Sequence, residues 1–513
     1  MFSEVFWITI ISLLSKGVGF IKSLLYAYFF GTGETLDALV LAEAIPGIFL
    51  GWLIAISISF TPKYTYISAN NGKKEADKYT NSIIAFCIVI GVGASVIAFL
   101  NSNLLIEISG GGLSVDGKKQ AASFLKVIVW YILFDTPNRI LIARLNVDKK
   151  YIRANITTIA VSCLLALSVF LGAYIDEVFL SIGLTCAYAI QFFLLLLINS
   201  KSGYRFKFEI ADKYEIKNTF LVSWPVFVSM IAADVNTYVD KVVASELPIG
   251  TISSLSYGFT VRDFFYVVLG SSINNIFYPK ISSLVAAKEE KKAREFLVDV
   301  LGYIMVIFIP IAVISVAKRE SIIRFIYFRG EFNSDSLLST SMAFAAYMVG
   351  VGFLLINDLF GRYFYSLQKG QITMSIGIIS MLTNVLLDIV LGKTVGILGL
   401  AIATSVSALV VVPIYLILFR KWHSSISYNG ISVKLIKCFA AALTMMVSMY
   451  LLSRVFEGKL NYLIDLMIQC FCGVASYVIV CRLLKVDEVT KILRFFQTVV
   501  GRLTAKNMGD DEI

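Results

Sequence analysis

Apolar runs of about twenty residues recur along the whole chain, each closed by a short polar or charged stretch. That is the length a helix needs to cross a hydrocarbon core. Such windows begin near Val5, Leu36, Ser82, Ser123, Ile152, Val178, Thr219, Ser253, Phe296, Leu338, Ile372, Val395, Val433 and Asn461. The pattern predicts an all-α polytopic membrane protein of about fourteen transmembrane helices. The stretches between windows alternate in charge. Lys63, Lys73, Lys74 and Lys78 follow the second window, Arg144, Lys149, Lys150 and Arg153 the fourth, and further basic groups at 201–217, 288–294, 369 and 420–437 continue the series. The opposite stretches, such as 31–35 and 176–177, carry almost none, with Lys318, Arg319 and Arg329 as the exception. Basic loops favour the cytoplasmic side, which places both termini there. The first apolar run is too long for a cleavable signal peptide and leads directly into further spans, so no cleaved leader is expected.

The windows also repeat. Thr61-Pro62-Lys63 followed by N-G-K-K-E-A-D-K matches Tyr278-Pro279-Lys280 followed by A-K-E-E-K-K-A-R, and Gly183-Leu184-Thr185 matches Gly399-Leu400-Ala401. Two parallel six-helix lobes, 1–200 and 201–425, then two extra helices in 426–485 and a cytoplasmic tail in 486–513, account for this. Parallel repeats about an axis along the membrane normal are a transporter architecture, with substrate between the halves. Pro46, Pro137, Pro225, Pro310 and Pro413 fall inside windows and mark either bends around a cavity or simple packing adjustments.

Composition narrows the class further. Mean hydropathy is +0.80, and 16% of residues are charged, against about 25% in soluble proteins. The net charge of +10 is explained by the basic loops, so no nucleic-acid partner is expected. The seven cysteines lie in apolar runs without metal-ligand spacing and read as buried small hydrophobes. The single histidine, His423, sits in a basic loop, so no histidine base or histidine metal site is expected inside the membrane.

Charges inside the windows are the candidate chemistry, because a charge at mid-bilayer costs roughly 2.5–3.5 kcal/mol and usually faces a bundle interior or a wet cavity. Lys16 and Lys22 lie in the first window, and Asp37 and Glu43 near the start of the second. The lysines either line a substrate cavity, snorkel towards an interface, or form buried ion pairs with Asp37, Glu43 or Asp263. Asp135 and Arg139 flank Pro137 at i,i+4, and Asp358 and Arg362 repeat that spacing; both pairs suit structural or cavity roles. Arg262 lies in the eighth window. Asp240, Asn384, Asp388 and Thr404 form a second set at similar depth, with Asn384 and Asp388 on one helix face. Four oxygen-bearing side chains suit a hard cation such as Na⁺; the alternative is interfacial acids hydrated from outside.

With these residues in place, the chain resembles the MurJ/MviN lipid II flippases of the MATE-like superfamily of polysaccharide, drug and lipid-linked sugar exporters. The resemblance is carried by L-L-S-K-x-x-G-F-x-K at 13–22, F-G-x-x-x-x-x-D-A at 30–38, V-D-K-V-V-A-S at 239–245, F-R-G-E-F at 328–332, R-Y-F-Y-S-L-Q-K-G at 362–370, N-V-L-L-D at 384–388 and G-L-A-I-A-T at 399–404. It implies a cationic cavity for the diphosphate of an undecaprenyl-linked saccharide, with Lys16 and Lys22 where the family carries cavity arginines; Asp37 and Arg139, charged residues inside windows, are further candidates for substrate binding. Arg262 lies two residues from the family's arginine in that span. The resemblance also implies a sodium site at Asp240, Asn384, Asp388, the Leu400 carbonyl and Thr404, and last helices that line a lipid-side groove. The family's arginine–aspartate pair is Lys22-Ser23 here, and lysine lacks the planar fork that arginine offers a phosphate.

The expectation is therefore a non-enzymatic, alternating-access flippase for a lipid II-like peptidoglycan precursor in the bacterial cytoplasmic membrane. It is expected to be monomeric, with cell-wall synthesis proteins as candidate partners and Na⁺ as a candidate coupling ion. An exopolysaccharide, O-antigen or capsule unit exporter is the alternative within the class. A drug antiporter would place acids rather than lysines in the first span, and a glycosyltransferase would need a large loop with acids or a metal motif.

Overall fold

The computed structural model describes residues 17, 19–209, 213–422, 429–456, 461–494 and 497–498. Lys16, His423 and the acidic end of the tail lie outside the described residues. Among the described residues there are helices and turns but no strand. Nine described helices are long and apolar enough to cross a membrane, and a bent one makes a tenth. Their outward faces are apolar: Leu386 is 65% exposed, Met467 72% and Phe471 76%. In water that arrangement would be unstable, but in lipid it is the solvated state.

The first compact unit comprises residues 1–264, 326–343 and 370–403. It begins with α1 (Gly19–Phe30) and α2 (Glu34–Asn70), joined by the 31–33 turn. The described part of α1 is the C-terminal part of the first window. After Pro46, α2 bends by 58° between Ile48 and Leu53. There follow α3 (Lys73–Leu100), α4 (Ser102–Ser109), α5 (Val115–Ile128), α6 (Ile132–Val147), α7 (Tyr151–Tyr174), α8 (Val178–Ser200) and α9 (Lys213–Ser245). Helix α10 (Thr251–Ser272) begins in this unit and continues through a π-helical stretch, Ile273–Phe277, into α11 (Tyr278–Ala286). The fourth window thus splits at a 3₁₀ turn, Val129–Tyr131, into α5 and α6. Leu53, Phe60, Ile83, Ile140 and Leu195 are buried together in its core.

At one end of that core the cation Arg144 is fully buried. Its Nε donates to Asp77 Oδ1 at 2.9 Å and its Nη1 to Asn199 Oδ1 at 3.1 Å, while its guanidinium covers the Tyr204 ring at 4.5 Å. Burial pushes the Tyr204 phenol up, so it stays a neutral donor, here to Asn81 Oδ1 at 2.7 Å. Removing Asp77 would leave this buried guanidinium with Asp148 Oδ2, 3.6 Å from Nη1, as its remaining carboxylate.

The second unit comprises residues 265–325, 344–369 and 404–513. Its helices include α12 (Glu290–Ala317), α13 (Arg319–Tyr327, whose end enters the first unit), α17 (Asn429–Phe456) and α18 (Tyr462–Leu483). Helices α14 (Ser334–Ser366) and α16 (Ile397–Trp422) contribute to both units, whereas α15 (Gly370–Val395) belongs to the first. This grouping follows packing, and its boundaries are distinct from the repeat boundaries expected from sequence. Residues 487–494, at the start of the expected tail, are helical, and Val486, Glu488 and Val489 are buried. Glu488 accepts from Lys434 Nζ of α17 at 2.5 Å. An apolar cavity of about 580 Å³ in this unit is lined by Leu301, Phe308, Phe353, Leu409, Phe439 and Met446.

One expectation about the cysteines fails. Cys87, Cys438 and Cys481 are buried, but Cys163 and Cys186 are exposed and Cys470 and Cys472 partly so. A thiol tolerates a lipid-facing surface as readily as a protein core, so an apolar run alone does not decide between them.

Candidate functional site

The site is organised by the hairpin of α1 and α2. Lys22 lies eight residues before Phe30 at the end of α1, and Glu43 nine residues after Glu34 at the start of α2. At 1.5 Å per residue both sit about 12–14 Å from the turn, near the depth of a bilayer midplane. Their side chains meet: Lys22 Nζ donates to Glu43 Oε1 at 3.3 Å, with 18% and 29% of the side chains exposed. The ammonium also lies 4.9 Å from the centre of the Tyr26 ring, one turn along α1. Of the partners weighed from sequence for Lys22, Glu43 is the one observed.

The turn end of this hairpin is fastened to the segment after α13. Gly31 (φ +56°) and Gly330 (φ +60°) both occupy the left-handed region that favours glycine. A Cβ on Gly31 would lie 2.5 Å from the Glu331 carbonyl oxygen, and one on Gly330 would strike the Tyr28 carbonyl. Between them the Glu331 amide donates to the Tyr28 carbonyl at 2.9 Å. Thr32 and Ser336 hydroxyls are hydrogen-bonded at 2.6 Å, and Ser23 and Tyr327 at 2.8 Å. Asp37 belongs to this end. Its carboxylate accepts from the Gly250 amide at 2.6 Å and the Ser253 amide at 2.7 Å, capping the start of α10. Both of its oxygens are thereby engaged by backbone N–H groups.

Deeper in the unit, Arg139 Nε donates to Asp135 Oδ2 at 2.7 Å, with 47% of the arginine side chain exposed and 5% of the aspartate. The charges of this pair and of Lys22–Glu43 all act on the Tyr188 phenol, whose ring lies 5.2 Å from that of Tyr131. Arg139 also acts on Asp234, and Lys241 lies within the fields of Asp240, Asp37 and Glu43. Arg262 is buried with its guanidinium 4.7 Å from the Phe259 ring and acts on Asp240. In the second unit, Asp358 accepts from the Tyr266 hydroxyl at 2.5 Å and Arg362 covers the Tyr278 ring at 5.4 Å, so this i,i+4 spacing leads to other partners.

Of the expected cation ligands, Asp240 of α9 and Asn384 and Asp388 of α15 come together where these two helices pack. A Cβ on Gly392 would come within 2.7 Å of Val243 Cγ1 and 3.1 Å of Leu400 Cδ2, so the bare backbone allows close approach one turn from Asp388. The carboxylates of Asp240 and Asp388 are direct neighbours. Asn384 Nδ2 donates to Asp388 Oδ1 at 3.2 Å. Asp240 Oδ1, Asp388 Oδ2 and Asn384 Oδ1 are buried without a hydrogen-bond partner, and Thr404 Oγ1, one turn beyond Leu400 on α16 and assigned to the second unit, is likewise. Two adjoining carboxylates with unmatched oxygens call for a shared proton or a cation. Among the described residues no group of three or more His, Cys, Asp or Glu side chains could hold a metal ion.

A family profile described as lipid II flippase MurJ matches residues 26–471. This chain belongs to the MurJ family. The lipid II flippase MurJ of Thermosipho africanus is 27% identical over 470 residues, covering 90% of this chain and 95% of that protein. A solved lipid II flippase MurJ in an inward-closed conformation superposes with a TM-score of 0.78 at 24% identity, covering 93% of this chain and 98% of that one. An inward-facing multidrug MATE transporter superposes at 0.70 and 11% identity, covering 80% and 96%. The fold is thus MurJ- and MATE-like. Membership of the MurJ family makes the chain a multi-pass transporter of the bacterial cytoplasmic membrane rather than an enzyme.

Within the MurJ framework, sequence inspection missed Asp234, Tyr131 and Tyr188. Asp234 carried a signal, a charge inside an apolar window. The tyrosines carried none, because a tyrosine in a membrane helix reads as packing or as an interface anchor.

Proposed function

We propose that this chain carries lipid II, or a close undecaprenyl-diphosphate-linked relative, across the cytoplasmic membrane by alternating access. The observation that carries this reading is Lys22, a lysine with a partly exposed side chain at mid-helix depth, backed by Tyr26 and paired with the single carboxylate of Glu43. A diphosphate moving through a hydrocarbon layer needs such fixed cations to offset its lost hydration. Lys16 and Arg139 would add to the head-group field, and Arg262 would act beside the acids of the cation site. In the proposed topology both termini are cytoplasmic and the 31–33 turn faces outward. The fastened hairpin is then a closed outer end, with Asp37 part of the seal. Two repeat lobes at 1–200 and 201–425 would move about the substrate, in a monomer able to work beside cell-wall synthesis proteins.

Asp240, Asn384, Asp388 and the Leu400 carbonyl, with Thr404 as a further ligand, would hold a sodium ion. Its charge would neutralise the paired acids, and its gradient would supply energy, about 2.3 kcal/mol per charge per 100 mV from the potential alone. Expression in a bacterium depleted of its own lipid II flippase tests the transport reading. Survival and falling lipid II levels, both lost on Lys22→Ala, are expected. Failure with confirmed membrane insertion would assign the chain to another lipid-linked saccharide.

A further inference from the structure

Among the acids near the hairpin, Glu43 differs from the rest. Asp37 is engaged by two backbone amides, and Asp135 is nearly buried against Arg139 at 2.7 Å. Glu43 meets Lys22 through one oxygen at 3.3 Å, and neither side chain is fully buried. Such a contact exchanges easily. An ammonium is a point charge with three equivalent donors, so it can trade one anion for another without rebuilding a planar fork. The Tyr26 ring, 4.9 Å away, keeps the ammonium in place whichever anion it holds.

We infer that Glu43 is a built-in competitor for the substrate's diphosphate. It neutralises Lys22 while the site is empty, yields to the more highly charged diphosphate, and reclaims the ammonium as the head group leaves. An unopposed lysine would hold the diphosphate tightly and release it slowly. With Glu43 present, binding gains only the difference between two anions, a graded affinity suited to a carrier that must let go on the far side. The inference rests on the lipid II reading and names Glu43 as the positioning residue that sets affinity at that site.

The test is binding of fluorescent lipid II to the purified full chain in nanodiscs, for wild type, Glu43→Gln, Glu43→Asp, Lys22→Gln and the Lys22→Gln/Glu43→Gln pair. Glu43→Gln should bind roughly fivefold tighter, the scale of a partly exposed ion pair. Glu43→Asp keeps the competing charge and should stay near wild type. The gain should vanish in the Lys22→Gln background, a dependence that a general structural role for Glu43 would not produce. Weaker or unchanged binding by a monodisperse Glu43→Gln variant, with wild type binding normally, overturns the competitor role and leaves the lipid II reading intact. No binding of lipid II by wild type removes that reading, and the competitor role with it.

Discussion

Gly31 and Gly330 close the turn end of the hairpin by backbone alone. Each holds a positive φ, and each would drive a Cβ into the other segment's carbonyl. Gly31→Ala should cost about 2 kcal/mol, combining left-handed strain with the clash. Its expected effects are a lower melting temperature of the purified protein and greater labelling of a cysteine placed at Ser23. Gly330→Ala should behave alike, and the double substitution should cost less than the sum, because both act on one contact. Additive costs would mean that the two glycines serve separate contacts. At this scale the sequence was partly legible. Lys22 stood out because lysine is costly in an apolar window. Its choice of Glu43 over Asp37 did not, because that depends on Asp37 being occupied by the Gly250 and Ser253 amides, more than two hundred residues away. The spacing of Asp135 and Arg139 matches their observed ion pair, whereas at the same spacing Asp358 accepts from Tyr266 and Arg362 covers the Tyr278 ring.

At the scale of elements, helix and window coincide because a transmembrane helix must satisfy every backbone group internally. The departures fall where that constraint relaxes. Helices α4, α11 and α13 are eight or nine residues long, well below the window length that reveals a span. Residues 487–494 are polar enough to resemble a tail, yet the Glu488–Lys434 pair and two valines anchor them. The meeting of α9 and α15 carries the ion prediction. Sodium should raise the melting temperature of the wild-type chain over choline at equal ionic strength, by up to ~2.7 kcal/mol of stability at a hundredfold excess over Kd. Asp388→Asn should abolish that difference, because it removes a ligand charge and can donate to Asp240. Equal melting in both salts, or a sodium effect that survives in Asp388→Asn, would leave the acids as a proton-sharing pair.

At the scale of the whole molecule, three features stand together in the first unit: a fastened hairpin end, the Lys22–Glu43 ion pair at mid-helix depth, and paired acids with unmatched oxygens. Family membership and a MATE-like fold supply the frame in which these become parts of one carrier. The most direct measurement is translocation itself. Vesicles holding the purified chain and fluorescent lipid II, probed with a membrane-impermeant quencher, report how fast lipid II exchanges between leaflets. Wild-type vesicles should exchange it well above the protein-free rate, and Lys22→Gln vesicles should fall back towards that rate. Exchange in wild-type vesicles no faster than in protein-free ones would contradict the account.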